Sequence, residues 1–486
     1  MSNTAESSAR KRIASVLDEN SFVEIGGYVT ARNTDFNLQT KDTPADGVVT
    51  GYGTIGETLV YVYSQDSTVL GGSIGEMHAK KIEKLYDMAL KMGAPVIGLV
   101  DCAGLRLQEA TDALQAFGSL FMSQVKASGV IPQITAIYGV CGGGMALVPS
   151  LTDFTFMEGK NGKLFVNSPN AIEGNYTEKC DTSSAKFQSE EAGLVDVIGT
   201  EDEIAASIRE LISILPANNE DDFSYEECRD SLNREVPSAA AYAADTASLA
   251  ALISDDQYFF ETKAAFAKEM VTGFIRLNGR TVGVVANRSE KFDENGESVW
   301  KEDAVLTVAG AKKAASFVSF CDAFEIPLLT FTNVTGFCAC KCAEKNMSLA
   351  AAKLTYAFAS ATVPKINVIT GDAYGSAYLT MNSKSTGADI VYAWLTASIG
   401  MMDAAQAVRI IYADEISAAD SAASMISEKT AEYQALQSSA LAAAKRGYVD
   451  DIIDASETRK RVIAAFEMLF TKREIPAVQK KHGTVY

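Results

Sequence analysis

The amino-acid sequence predicts an α/β protein built from two tandem copies of one domain. The main observation is an internal repeat: residues 79–147 match a stretch that lies 232 positions further along, without a gap. Within the repeat, Pro95 corresponds to Pro327 and Gly143 corresponds to Gly375. Self-similarity at one fixed spacing indicates a structural unit that the chain uses twice. We therefore interpret the 486 residues as the product of a duplication.

The second observation is that apolar strands alternate with helices in each copy. Each copy reads as a helix, a proline, an apolar strand and a glycine-containing loop, and this order then occurs a second time. The strand candidates 96–100 and 328–332 are short apolar runs, as buried strands are. Such alternation predicts βαβ units. Residues 202–215 place apolar side chains at helical spacing, which predicts a helix that closes the first copy.

The third observation is a polar stretch between the copies. Residues 216–224 combine a run of acids with turn-forming residues, which is typical of a linker. We predict an N-terminal domain over 1–215, a linker over 216–240 and a C-terminal domain over 241–486.

Composition and charge exclude several classes of protein. The chain is 47% hydrophobic and 22% charged, as globular proteins are. Its net charge of −19 argues against general binding to nucleic acids or anionic membranes. The first ten residues have no hydrophobic core, so we expect no secretory signal. The eight cysteines are scattered, which suggests reduced thiols and a cytoplasmic location.

The candidate site lies in glycine-containing loops that follow the predicted strands. Ligands of α/β folds bind beyond the carboxyl ends of strands. Each copy offers two such loops, 101–106 and 139–145 in the first and 333–337 and 371–378 in the second. A glycine turn that leads into a helix directs free N–H groups at one point. Two such turns side by side could stabilise the enolate oxygen formed from a thioester, as an oxyanion hole does.

Residues that are missing or isolated narrow the chemistry further. The chain has two histidines, His78 in the repeat and His482 in a basic tail, so we do not expect a Ser–His or Cys–His hydrolase. Cys338, Cys340 and Cys342 are closely spaced but lack a second ligand pair or a nearby histidine, so we expect no metal site. No Walker loop and no dinucleotide fingerprint is present.

Several longer stretches carry a family resemblance. They are Asp46-Gly-Val-Val-Thr-Gly-Tyr-Gly-Thr-Ile, Gly71-Gly-Ser-Ile-Gly-Glu-Met-His, Ser128-Gly-Val-Ile-Pro-Gln-Ile, Ser150-Leu-Thr-Asp-Phe, Ala361-Thr-Val-Pro-Lys-Ile, and the ending Thr471-Lys-Arg-Glu followed by Lys480-Lys-His-Gly. With them, nearly the whole chain resembles the biotin-dependent acyl-CoA carboxyltransferases. This family includes the β subunits of propionyl-CoA carboxylase and the α subunits of methylmalonyl-CoA and glutaconyl-CoA decarboxylases.

The resemblance implies a fold, an assembly and a set of site residues. The fold is a duplicated crotonase-like spiral of ββα units, in a hexamer of two stacked trimers. Acyl-CoA lies mainly on the first domain of one subunit, and biotin lies against the second domain of another. Residues implied to surround the thioester oxygen are Ala103, Gly104, Gly143 and Gly144. Those implied around the biotin ureido oxygen are Gly336, Ser376 and Ala377. Implied cofactor-binding residues are Gly375, Tyr374, Phe337 and Arg106, and the implied substrate-selecting residue is Leu379.

The resemblance also implies the division of labour in the reaction. Biotin would supply the base, while the protein would supply positioning and oxyanion stabilisation, so no catalytic histidine is required. The chain carries no biotin-attachment sequence and no ATP-grasp module. We therefore expect biotin to arrive on a separate biotin carboxyl carrier protein. The further partner is either a biotin carboxylase subunit or a membrane decarboxylase subunit, which would bring the chain to a membrane.

One loop departs from the family pattern, and alternatives follow from it. In this family the loop on the biotin side is rich in proline and glycine, whereas residues 335–345 contain three cysteines and no proline. The first alternative is the α subunit of a sodium-pumping methylmalonyl-CoA or glutaconyl-CoA decarboxylase. The second is a non-catalytic paralogue in a mixed hexamer. A crotonase-type hydratase is disfavoured because no acid follows the triple-glycine turn.

Overall fold

The computed structural model describes residues 7–32, 38–175, 179–221, 227–293 and 295–474. The chain divides into two units, Met1–Ser224 and Tyr225–Tyr486. The division falls inside the segment 216–240 that the sequence analysis assigns to a linker. His482 and the sequence motif that contains it lie outside the described residues.

The first unit contains an eight-stranded mixed sheet. Its strands lie in the order β1-β2-β3-β4-β5-β6-β8, and β7 pairs with the end of β5. The pairs β1–β2 and β2–β3 are antiparallel, whereas the pairs from β3 onward are parallel. The strands are β1 (Val23–Ile25), β2 (Val48–Ile55), β3 (Thr58–Gln65), β4 (Val96–Cys102), β5 (Gln133–Gly142), β6 (Phe154–Glu158), β7 (Lys163–Phe165) and β8 (Val197–Gly199).

The second unit contains a sheet of the same design and two small two-stranded sheets. The main order is β9-β10-β11-β15-β17-β18-β20, with β19 beside β17, and the orientations again change from antiparallel to parallel after β11. The small sheets are β12–β13 and β14–β16. The strands are β9 (Phe260–Thr262), β10 (Met270–Leu277), β11 (Arg280–Asn287), β12 (Glu290–Phe292), β13 (Ser298–Lys301), β14 (Val305–Leu306), β15 (Leu328–Val334), β16 (Gly336–Phe337), β17 (Lys365–Tyr374), β18 (Ile390–Trp394), β19 (Ser398–Gly400) and β20 (Asp451–Ile453).

Helices connect the parallel strands in both units. Those of the first unit are α1 (Ser8–Val16), α2 (Glu76–Met92), α3 (Ala110–Ala127), α4 (Val148–Leu151), α5 (Ala185–Glu190) and α6 (Glu201–Ile214). Those of the second are α7 (Thr246–Ile253), α8 (Val308–Ala323), α9 (Lys341–Glu344), α10 (Met347–Ser360), α11 (Gly375–Thr380), α12 (Ala404–Ile411), α13 (Ala413–Ala418), α14 (Ala422–Tyr433), α15 (Ala440–Lys445) and α16 (Thr458–Leu469).

Strand register confirms that the two units are copies of one α/β fold. Val96 pairs with Gln133 in the first unit, and Leu328 pairs with Lys365, each 232 positions later, in the second. Both units also have a register irregularity at the same place, just before Cys102 and just before Val334. A shared irregularity of this kind is a conserved structural feature and not a coincidence of composition.

Local sequence explains why the repeated helices start and stop where they do. Helix α2 buries Ile82, Leu85 and Tyr86 at helical spacing, and each such side chain typically contributes about 1.5–3 kcal/mol. It ends at Gly93, which adopts the left-handed conformation that favours glycine at this position. Helix α6 begins with a capping box between Thr200 and Glu203. Its apolar face is buried as the sequence predicts.

Membrane-spanning structure was searched for among the helices of the described ranges. None of these helices combines the length and the apolar character needed to cross a bilayer.

Candidate active site

The loop after β4 is held in place by the backbone of an earlier segment. The N–H of Ala103 donates to the carbonyl of Gly71 at 2.9 Å, and the carbonyl of Gly104 accepts from the N–H of Ile74 at 2.9 Å. The N–H of Arg106 then donates to the carbonyl of Ile74 at 2.9 Å. The loop therefore continues the parallel sheet geometry for a few residues beyond the end of the strand.

The triple-glycine turn after β5 leads directly into a short 3-10 helix, Gly143–Leu147. Gly143 has φ +62, in the region that favours glycine, and a Cβ there would meet no atom within 4 Å. As the first residues of this helix, Gly143 and Gly144 have no intrahelical acceptor for their N–H groups. Their amides therefore lie at the positive end of this short helix.

The two loops of the first unit lie side by side, as the sequence predicts. A Cβ on Gly104 would lie 3.7 Å from the carbonyl oxygen of Gly142. The N–H of Gly104 donates to the Cys102 sulfur at 3.3 Å, and a thiol sulfur is a weak acceptor. Gly104 thus adds a third weakly engaged amide to those of Gly143 and Gly144.

A glycine inside β5, Gly139, is required by a close approach. The Asp101 side chain occupies the space that a Cβ on Gly139 would need. In the second unit the Asn333 side chain stands in the same way against Gly371. Both glycines let a polar side chain at the end of one strand pack against the backbone of the next strand.

The family resemblance places Ala103 around the thioester oxygen. Its N–H is donated to the carbonyl of Gly71. The residue is exposed beside the buried Gly104. The place of Ala103 around the thioester oxygen stays a prediction.

The resemblance implies a cofactor-binding role for Arg106, and the structure places its side chain in a buried ion cluster. The side chain has no exposed surface: Nη1 lies 2.5 Å from Asp46 Oδ1 and 2.8 Å from Glu109 Oε1. Nη2 donates to the carbonyl of Ser73 at 2.8 Å. Burial raises the pKa of Asp46, and the nearby Arg106 opposes this shift. The guanidinium therefore ties the loop after β4 to Asp46 and Ser73.

His78 is a structural residue of the same buried cluster. Its Nδ1 lies 2.9 Å from the carbonyl oxygen of Asp46, and its Nε2 lies 3.2 Å from Gln65 Nε2. The ring is fully buried. Burial, together with the charge of Arg106, lowers its pKa to about 3. The imidazole is therefore neutral near pH 7 and has no access to a substrate.

In the second unit, β17 leads into α11 through the counterpart of the triple-glycine turn. Gly375 has φ +60, close to the value at Gly143. The N–H groups of Gly375, Ser376 and Ala377 form the first turn of the helix and have no intrahelical acceptors. The Ser376 side chain is exposed, whereas the Ala377 methyl group is buried. Leu379, one turn further along, is 42% exposed.

The other predicted residues of the second unit, Gly336, Phe337 and Tyr374, differ in their burial and contacts. Gly336 lies in β16, and a Cβ on it would meet nothing within 4 Å. Phe337, the next residue, is half-buried. Tyr374 is buried and its hydroxyl donates to Asp372 Oδ1 at 2.9 Å. Burial raises the pKa of Tyr374 to about 12, so its hydroxyl stays protonated. Tyr374 therefore supports the turn, while Gly336 leaves space open.

A cavity of about 630 Å³, which the sequence did not predict, lies beside the triple-glycine turn. Phe165 pairs with Gly142 in β7, which joins the cavity to the turn. The ten lining residues are Lys163, Phe165, Ser168, Pro169, Asn170, Asn175, Lys179, Cys180, Asp181 and Ser183. The one local feature that could have indicated this cavity is the short alternating run of β7, which follows a turn. The cavity was not predicted because β7 pairs with the far end of β5, and hydrophobic periodicity does not reveal such a long-range contact.

Metal-binding geometry was also searched for. Across the described ranges, no group of three or more His, Cys, Asp or Glu side chains is arranged to hold a metal ion.

Comparison with known proteins gives concordant results. The family described as "Carboxyl transferase domain" matches residues 3–485. The chain is 40% identical to the methylmalonyl-CoA decarboxylase subunit alpha of Propionigenium modestum, over 98% of this chain and 92% of that protein. It is also 40% identical to the propionyl-CoA carboxylase beta chain of Roseobacter denitrificans, over 98% and 93%. The crystal structure of transcarboxylase 12S, a hexamer with methylmalonyl-CoA and methylmalonic acid bound, superposes with a TM-score of 0.89. That match has 37% identity and covers 98% of this chain and 91% of the other.

Proposed function

The chain belongs to the carboxyl transferase domain family and is a carboxyltransferase, and we propose that it moves a carboxyl group between biotin and the α-carbon of a short acyl-CoA. The observation that carries this proposal is a pair of turns, one in each unit, that present free backbone amides. They begin at Gly143 and Gly375, 232 positions apart, with nearly the same φ. Two developing oxyanions, one on each substrate, need two such sets of donors.

On the acyl-CoA side, the first unit supplies the amides of Gly143 and Gly144, with Gly104 beside them. They would donate hydrogen bonds to the thioester oxygen as it gains negative charge in the enolate. A single donor of this kind is typically worth about 2.7–4 kcal/mol. The adjoining cavity of about 630 Å³ is of the size that small-molecule sites have, and it offers room for part of the thioester.

On the biotin side, the residues of the second unit fit the ureido oxygen. The open space above Gly336 and the amides of Gly375 and Ser376 form a cradle that a side chain at Gly336 would fill. When bound, biotin supplies the carboxyl group and the base for the α-proton. The protein would hold both reactants in place and stabilise charge. This division of roles agrees with a buried, neutral His78 that takes no part.

Partners and assembly follow from the same relatives. We propose that biotin arrives on a separate carrier protein and that the chain forms a hexamer, as transcarboxylase 12S does. The further partner would be a biotin carboxylase subunit or a membrane decarboxylase subunit. We place the chain in the cytoplasm, or at a membrane through the second of these partners.

We propose that the partner subunit determines whether the net reaction is carboxylation or decarboxylation. Decarboxylase and carboxylase relatives are equally similar to this chain, at 40% identity over 98% of its length. Transfer between biotin and the enolate is the same chemical step in both directions. We therefore propose reversible transfer by this chain, with the net direction set by the partner subunit.

The test is a transfer assay with the full-length chain. Methylmalonyl-, malonyl- and glutaconyl-CoA, each labelled at the free carboxyl group, are incubated with free biotin, and label on biotin is measured. We expect transfer from at least one thioester, and transfer back from labelled carboxybiotin to the matching acyl-CoA. Absence of transfer with every thioester in both directions would contradict the proposal and favour a non-catalytic subunit.

A further inference from the structure

Three cysteines stand together between the end of β16 and the first turn of α9, and the proposed transfer reaction uses none of them. We refer to residues 338–342 as the cysteine loop. Cys340 and Cys342 are exposed, Cys338 is half-buried, and all three are free thiols. The N–H of Cys338 donates to the carbonyl of Leu306 at 2.9 Å, which ties the start of the loop to β14.

The sulfur of Cys340 is the centre of three contacts. The Cys342 sulfur lies 2.8 Å from it, and either thiol can be the donor. The Cys338 thiol donates to it at 3.9 Å, and the N–H of Ala343 donates to it at 3.3 Å, so that Cys340 caps the N-terminus of α9. Donors around one sulfur favour its thiolate form.

The pKa values of Cys340 and Cys342 are shifted in opposite directions. The hydrogen bond with Cys342, followed by that with the Ala343 N–H, lowers the pKa of Cys340. The same contact with Cys340 raises the pKa of Cys342. A thiol with a lowered pKa next to an exposed second thiol with a raised pKa is the arrangement found in reversible disulfide chemistry.

The buried cysteines of the chain provide a contrast. Cys102, Cys141 and Cys321 are fully buried, and burial raises the pKa of each. Such thiols are protonated near pH 7 and inaccessible to reagents. Reactivity toward a dissolved oxidant is therefore expected at the five cysteines outside the core, three of which lie in the cysteine loop.

We propose that Cys340 and Cys342 form a thiol–disulfide exchange site that reacts with small disulfides such as oxidised glutathione. The Cys340 thiolate attacks one sulfur of the small disulfide, which forms a mixed disulfide and releases one small thiolate. Cys342 then loses its proton to solvent and attacks the Cys340 sulfur, which releases the second small thiolate. The two cysteines are oxidised to one disulfide, and the small disulfide is reduced to two thiols.

The exchange site has a consequence for the neighbouring turn, and this part depends on the proposed function. A bond between Cys340 and Cys342 takes the Cys340 sulfur away from the Ala343 N–H and so changes the start of α9. Gly336, which the proposed function places beside biotin, lies two residues before Cys338. Oxidation is therefore expected to lower the rate of carboxyl transfer severalfold, and reduction is expected to restore it.

The experiment equilibrates the full-length chain in mixtures of reduced and oxidised glutathione and maps disulfides by peptide mass spectrometry. In the wild type we expect an internal Cys340–Cys342 disulfide. In Cys342→Ser we expect glutathione to remain attached at Cys340, and in Cys340→Ser we expect neither product. Cys338→Ser should form the same disulfide as the wild type. Cys228→Ser, at a half-buried position elsewhere in the second unit, is the matched control and should behave as wild type.

Other outcomes overturn the assignment. A disulfide between Cys338 and Cys340, or equal reactivity of Cys340→Ser and the wild type, would show that the roles are wrong. Unchanged transfer by fully oxidised protein would overturn the link to Gly336. Transfer by the reduced protein tests the proposed function separately, because peptide mapping does not depend on activity.

Discussion

Two loops that occupy the same place in the two units are held by opposite means. The loop 103–109 of the first unit sits on Arg106, whose guanidinium is enclosed between Asp46 and Glu109 with no exposed surface. The loop 335–341 of the second unit has Cys338 at the position equivalent to Arg106, and that cysteine takes part in a cluster of partly exposed thiols. After a duplication, the same backbone route can thus be kept while its support changes from a buried ion cluster to surface contacts.

The two units share a polar contact at the ends of β4 and β15, just before these loops begin. The N–H of Asp101 donates to the Gln65 side chain at 3.3 Å, and the N–H of Asn333 donates to the Asn287 side chain at 3.3 Å. These polar contacts set the direction in which each chain leaves the sheet. The two loops therefore differ only in the residues that follow these contacts.

The strongest way to break the comparison is to remove the buried cation. Arg106→Met leaves Asp46 and Glu109 buried without their partner, and we expect a loss of about 3–5 kcal/mol in the free energy of unfolding of the first unit. The matched change in the second unit, Cys338→Met, is expected to cost less than about 0.5 kcal/mol. Urea unfolding followed by circular dichroism measures both.

Tryptophan fluorescence provides an internal control for that experiment. Trp300 and Trp394 are the two tryptophans of the chain, and both belong to the second unit. Their transition should stay in place in Arg106→Met while the circular dichroism transition moves to lower urea. A circular dichroism transition as stable as that of the wild type would show that the ion cluster does not hold the first loop.

The second prediction concerns the turns that the units have in common. Gly143→Val forces a β-branched residue to φ +62 and fills the space where the thioester oxygen would lie. We expect a fall of about 10²–10³ in kcat, as for the loss of an oxyanion donor. Gly375→Val should act similarly through the biotin side. The measurement is carboxyl transfer from labelled methylmalonyl-CoA.

Gly118→Ala is the control for the glycine variants. Gly118 lies within α3, and a Cβ there meets nothing within 4 Å. Turnover should be unchanged, with a gain of about 0.5–1 kcal/mol in stability. Full turnover in Gly143→Val would reject the first-unit site.

The third prediction uses an asymmetry between the units at pH below neutrality. His78 has a folded pKa of about 3, and its counterpart is Gly310. The unfolded chain binds a proton near pH 6.5 that the folded first unit excludes, so stability is lost as the pH falls from about 6.5 toward 3. The loss approaches about 1.4 kcal/mol per pH unit at most. The urea midpoints measured at pH 7 and at pH 5 should therefore differ less in His78→Gln than in the wild type.

The smallest expected effect lies at alkaline pH and compares two equivalent lysines. Lys81 and Lys313 are buried, and burial lowers their pKa values to about 8 and about 7. Because the unfolded lysines hold their protons up to about pH 10.4, stability rises with pH above each folded value. Relative to Lys313→Met, the wild type should gain about 1 kcal/mol between pH 7 and pH 8. The corresponding gain over Lys81→Met should begin about one pH unit higher. Equal onset for both would show that the lysines have the same environment.

The fold was largely predictable because its signals are local and occur twice. Apolar runs marked β4 and β15, and glycine positions marked the turns after β5 and β17. The part that could not be predicted depends on contacts between distant residues. Arg106 is buried because Asp46, 60 residues earlier, meets it. Likewise, the amide of Ala103 is occupied because the segment containing Gly71 returns beside it.

The contacts within the cysteine loop could not be predicted from the sequence either. Residue spacing leads us to expect no metal site there, and it indicates no other role for the three cysteines. The distance of 2.8 Å between two sulfurs and the cap on α9 depend on backbone geometry, which residue spacing does not reveal.

The outermost strands of both sheets are three residues long: β1, β8, β9 and β20. Three of them carry an acidic residue, Glu24, Glu261 and Asp451 respectively in β1, β9 and β20. Short, charged borders discourage strands of other molecules from adding to a sheet. A chain with two open sheets has four places where fibril growth could start. Engineering that lengthens any of these strands, or neutralises those acids, should therefore be screened first for aggregation.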